Sequence, residues 1–211
     1  MESVEKMGDI EFVEKMKGFL LKPVDTFQKV KEETLSESLK YFLVLILMYS
    51  ALSAVVITAM RHTIWGSTLF SIYKSLPVVG PIFESGSGTT TALTFFVIFL
   101  VGGFIGIFIG AAIVHLGVLL FGGKKGYTHT VNALIYGSTP SYVFGWIPFV
   151  MLIIWIWSFI LEILGIRELQ EMSTGKAVAA VLVPIVIVMI VVMVVLVGAT
   201  TCFYVSGELG P

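Results

Sequence analysis

A chain of 211 residues that is 57% hydrophobic and only 13% charged, with a mean hydropathy of +0.99, has too few charges to cover a water-facing surface; soluble domains carry about 25% charged residues. The formal net charge of −1 gives no global attraction to nucleic acid, and the single cysteine, Cys202, excludes an internal disulfide and a cysteine-based zinc site. The composition is that of an all-α polytopic membrane protein with one membrane domain.

Residues 1–40 are charged but patterned. Phe12, Met16, Phe19 and Leu20 recur at helical spacing, with Glu11, Glu14, Lys15 and Lys17 between them. This predicts a cytoplasmic amphipathic helix on the inner membrane surface; an arm folded onto the bundle would satisfy the same pattern. Pro23 breaks the pattern, and a short second helix N-capped by Asp25 is expected after it. Thr34 and Glu37 have capping-box spacing at the entry to the first apolar run.

Spans are expected over residues 41–60, 92–121, 130–145, 146–165 and 177–203, against the roughly 20 residues a helix needs to cross hydrocarbon. The connection 61–91 contains "TLFSIYKSLPVVGPIF", too apolar for a free loop and too broken for a span, so a short interfacial or re-entrant piece is expected. "ESGSGTTT" then returns the chain, with Thr89 to Thr91 beginning the next helix. In the second span Gly102, Gly106 and Gly110 repeat every four residues, the small-xxx-small pattern of close helix packing. A partner within the chain is the simpler reading of that pattern, and another copy the alternative.

The third span, "VNALIYGSTPSYV", is short and polar for lipid. Gly137, Ser138, Ser141 and Gly145 form a small face, and Pro140 frees a backbone carbonyl of the preceding turn that Ser141 or Thr139 could bond. We expect a central, kinked packing helix; the competing reading is a pathway lined by Tyr136, Gly137, Ser138, Pro140 and Ser141. The fifth span, roughly 27 residues or some 40 Å long, should tilt or kink near Pro184 and face lipid, leaving an outer tail at 204–211.

Lysine and arginine set the orientation. With five spans, eleven of the thirteen positive residues fall on the side of the N-terminus, and only Arg61 and Lys74 on the other. Skipping the third span would leave nine against four. The N-terminus is therefore expected in the cytoplasm and the C-terminus outside.

His115, Asn132 and Glu162 all fall within roughly 10 Å of the inner interface by rise per residue. They are candidates for one inner polar layer, unless Glu162 reaches the interface or pairs with Arg167. His62, His115 and His129 are scattered, no HExxH, Walker or GxSxG pattern occurs, and Ser138 and Ser141 have no base near them in sequence. No catalytic residue, metal or cofactor is expected.

Four segments line up in order around these spans: "KPVDTF" with Pro23 and Phe27, "FGGKKGYTHTV" with Gly122, Gly123 and Tyr127, "YGSTPSYV" with Tyr136 and Pro140, and "LGIRELQEMSTGKAVAAV". Together they resemble the Yip domain family, the Ypt/Rab-interacting membrane proteins with five transmembrane helices, over about residues 15 to 203. The resemblance implies a cytoplasmic N-terminus and a C-terminus outside or luminal. Eukaryotic members work in Golgi and endoplasmic-reticulum vesicle traffic with prenylated Rab GTPases and with one another. Here only about 40 residues precede the first span, without the long acidic tail of that type. That argues against Rab binding and resembles the short bacterial and archaeal members, so a prokaryotic cytoplasmic membrane is expected. The expected role is a non-enzymatic scaffold or adaptor that binds other membrane proteins, itself or lipid. The alternative is a small transporter or channel at the kinked third span.

Overall fold

A computed structural model describes residues 2–75, 80–81 and 87–208. The elements are α1 (Glu2–Leu21), α2 (Pro23–Lys29), α3 (Leu35–Ala59), a 3₁₀ turn (Met60–His62), α4 (Ile64–Lys74), α5 (Gly88–Leu120), α6 (Tyr127–Gly137), α7 (Thr139–Phe144), α8 (Met151–Leu169) and α9 (Thr174–Glu208). No strand occurs among the described residues. Three stretches are long and apolar enough to cross a membrane: Leu35–His62, Gly88–Leu120 and Thr174–Gly198. The 19-residue α8 is not among them, because it carries Glu162, Arg167 and Glu168. α6 and α7 are each too short to span alone.

The bundle is organised around α6 and α7. Residues 130–140 are buried without interruption, and α6 packs against α3, α5 and α8. At the opposite extreme, every residue from Val186 to Val197 is exposed. In water that surface would drive aggregation; in hydrocarbon it costs nothing, and the helix satisfies its own backbone.

Helix ends follow local chemistry. Thr34 forms the anticipated capping box: Glu37 N–H donates to its hydroxyl at 3.4 Å, and Thr34 N–H donates to the Glu37 carboxylate at 2.7 Å. Asp25 is not a cap. Pro23 opens α2, with Lys22 at the N-cap, because the proline ring already has a helical φ and the first turn needs no N–H from it. α5 closes on Gly122, at φ 89°, and Gly123 N–H donates to Val118 O at 2.8 Å, a Schellman cap. α8 closes the same way, with Met172 N–H donating to Arg167 O at 3.0 Å, but the left-handed position is held by Glu171 at φ 53°.

The N-terminal arm lies against the bundle. Phe19 is fully buried and stacks on Tyr136 at 4.7 Å, Phe12 meets Tyr41 at 5.1 Å, and Lys15 pairs with Glu33 at 2.6 Å. The apolar stripe that the sequence assigned to the membrane surface is thus occupied by aromatic contacts with α3 and α6. In the connection between residues 61 and 91, α4 is a short helix of 11 residues; residues 76–79 and 82–86 lie outside the described residues. α9 runs on to Glu208, past the end expected at 203.

Candidate functional site

The break between α6 and α7 is local chemistry. Pro140 has no N–H, so Tyr136 O loses its helical donor. The Thr139 hydroxyl supplies one at 2.7 Å. Ser138 N–H still bonds Leu134 O and Tyr142 N–H bonds Ser138 O, so regular helix flanks the break. One turn further, Ser141 N–H and Oγ both reach Ser158 Oγ on α8, at 2.9 and 2.7 Å.

The three candidates for an inner polar layer bond into three separate groups. His115 Nδ1 meets Thr130 Oγ1 at 2.8 Å, and Gln170 Nε2 donates to that same hydroxyl at 3.0 Å. The Thr130 hydroxyl thus joins His115 of α5 to Gln170 at the end of α8. Asn132 accepts from Ser38 Oγ at 2.6 Å and donates to the Glu33 carbonyl at 3.0 Å. Glu162 accepts from Ser138 Oγ at 2.8 Å. Arg167 pairs with Glu168 at 2.6 Å, not with Glu162.

Tyr136 stacks on Phe19 and donates to the Glu33 carboxylate, while the Tyr41 and Thr139 hydroxyls meet at 3.0 Å. Glu33, Gln170 and Ser158 were not anticipated. Each comes from a segment distant in sequence, and nothing in its neighbourhood marks it. The carboxylate that meets Ser138 is that of Glu162, which sits 24 residues away.

Glycine use divides into two kinds. A Cβ on Gly137 would come within 2.7 Å of the Glu162 backbone, and one on Gly165 within 2.8 Å of Phe27 and 3.0 Å of Ala133 O. At Gly117 a Cβ would collide with Ala180 O. These are the glycines that let helices touch. Gly102, Gly106 and Gly110 differ. A Cβ at Gly102 or Gly106 would meet nothing within 4 Å among the described residues, and one at Gly110 only Leu134 Cδ2 at 3.8 Å. Of the in-chain partner anticipated for this face, only Leu134 comes within 4 Å, at Gly110; the close approach of α5 to α9 lies further along, at Gly117.

Beside this face is a cleft of about 310 Å³. Gly103, Gly106 and Gly110 form one wall, Leu134, Tyr142 and Glu162 the other, and Ile185 stands at the α9 side. Glu162, held by Ser138, is the only ionisable group besides Tyr142 among the described lining residues. The site is thus an apolar slot between helices with a smooth glycine wall and one carboxyl. No group of three residues suited to hold a metal ion occurs among the described residues.

The model of the Yip1 domain family matches residues 17–196. No curated protein and no solved structure matches the chain.

Proposed function

The chain belongs to the Yip1 domain family and is an integral membrane protein, and on that premise we propose that it is a non-enzymatic membrane adaptor that takes a helix of another membrane protein, or of its own copy, against the open glycine face of α5. The observation that carries this is the four-residue glycine repeat, in which a Cβ at Gly102 or Gly106 would meet nothing within 4 Å among the described residues and one at Gly110 only the tip of Leu134. Such a repeat serves close helix approach, and here the approach is left for a helix from outside the chain. Glu162, on the far wall of the cleft, offers that helix a hydrogen-bond acceptor.

We read five crossings in the domain 41–203, with α6–α7 the third and α8 the fourth. Segment 1–40 is then cytoplasmic and the end of α9 faces outside, and the bilayer is that of a prokaryotic cell. The lysine asymmetry supports this orientation. The transporter alternative draws on Glu162 in the cleft alone; Asn132 and Tyr136, at 2% and 0% exposure, are sealed by direct side-chain bonds.

Cysteine crosslinking in native membranes tests the proposal. Gly106→Cys, in a Cys202→Ser background, should give a discrete crosslinked adduct, whereas Val191→Cys on the exposed face of α9 should give none. Equal, diffuse labelling at both positions would exclude a specific helix partner.

A further inference from the structure

A second cavity lies elsewhere, at the end of the bundle away from α1 and α2, and has a volume of about 570 Å³. Tyr49, Ser53, Val56 and Met60 line it along α3 and its 3₁₀ extension, facing Phe99 of α5 and Trp146 of the α7–α8 connection. The first turn of α8 completes the wall. A volume of this size, lined by aliphatic and aromatic side chains with few polar groups, is that of a small-molecule site. Ser53 is among the lining residues. Ser53 is 4% exposed, and its Oγ is buried without a hydrogen-bond partner. A buried hydroxyl is seldom left so.

The dimensions say what fills the cavity. Its lining runs along α3 from Tyr49 to Met60, roughly 16 Å at the helical rise. That is about half of the roughly 30 Å hydrocarbon core, the depth of one leaflet. α3 and α5, which form two of its walls, are both long and apolar enough to cross the bilayer. The character of the chain changes at the Met60 end. Arg61 and His62 follow there, both exposed, with Arg61 Nε donating to His62 Nε2 at 2.9 Å. An apolar slot one leaflet deep, with a cationic side chain at its polar end, matches a bilayer phospholipid. We propose that this cavity holds one acyl chain of a phospholipid from the leaflet opposite α1, with its phosphate at the level of Arg61.

The test uses the full-length protein reconstituted in phosphatidylglycerol–phosphatidylethanolamine vesicles that contain a phospholipid with a photoreactive acyl chain. After irradiation, adducts are mapped by mass spectrometry. Labelling concentrated on Tyr49–Met60 and on residues 146–152, above the level on Val186–Val197, is the expected result. Val56→Trp, which fills the slot, should reduce cavity labelling to the α9 level and leave α9 labelling unchanged. The wild-type map stands alone if that variant does not fold. Labelling no denser in the cavity than on α9 overturns the proposal. So does an adduct pattern that Val56→Trp leaves untouched in folded protein, and so does a cavity protected from label by the chain's own residues 76–86.

Discussion

Glycine has two opposite uses in this chain, and single substitutions separate them. At Gly137 a methyl group would press into the backbone of Glu162. Gly137→Ala should therefore destabilise the bundle by about 1–3 kcal/mol, the usual cost of overpacking. At Gly106 the same methyl enters open space. Gly106→Ala should leave the isolated protein as stable or up to about 1 kcal/mol more stable, because alanine has the better helix propensity. Thermal unfolding of both variants in one detergent measures the difference. A loss at Gly106 as large as that at Gly137 would show that the α5 face is already packed. Glycine spacing was legible in the sequence, but which glycines touch was not. A repeat describes one helix surface, and contact depends on where two helix axes converge.

At the scale of elements, ends were more legible than faces. The capping box at Thr34 and Glu37 was readable because its four bonding groups lie within four residues. Thr34→Ala should cost about 1 kcal/mol, seen as faster hydrogen exchange at the first amides of α3 with the rest of the helix unchanged. Unaltered exchange there would mean that the α1–α2 arm, not the cap, holds this end. Pro140 likewise announced a break in the third apolar stretch, and the neighbouring Thr139 was one of two hydroxyls able to repair it. The face of α1 was not readable in the same way. Phe12, Met16 and Phe19 form an apolar stripe whether lipid or protein covers it, and only the position of Tyr41 and Tyr136 decides.

Across the whole molecule, the α2–α3 linker, the α5–α6 turn and the α8–α9 turn are tied together by Glu171. It bonds Lys31 and pairs with Lys125 at 3.3 Å. Hydrogen bonds, first from Lys31 and then from Lys125, hold its carboxyl below the ordinary carboxylate range, while Glu171 in turn raises Lys31 above the ordinary lysine value. A depressed carboxylate contributes its tie above the unfolded pKa and loses it as pH falls through the folded value. The raised lysine loses its share only as pH climbs through its own folded value. The tie therefore persists through neutrality and opens in acid. Hydrogen exchange at Lys31–Glu33 and Ser173 should quicken as pH falls below the ordinary carboxylate range, after correction for intrinsic rates. Glu171→Gln should show the quickened exchange already at neutral pH. If the variant at neutral pH exchanges like the wild type, the tie is not structural.

By itself the sequence determined that this is a helical membrane protein of the Yip1 type, where several of its helices end, and that its third apolar stretch is central and broken. Those properties are set by composition and by residues within one or two turns of each other. Only the tertiary structure decided that His115, Asn132 and Glu162 bond to different partners, that Glu162 accepts from Ser138, and that Gly103, Gly106 and Gly110 of α5 line a cleft. Each of these depends on the convergence and rotation of helices far apart in the chain, and helical periodicity constrains neither.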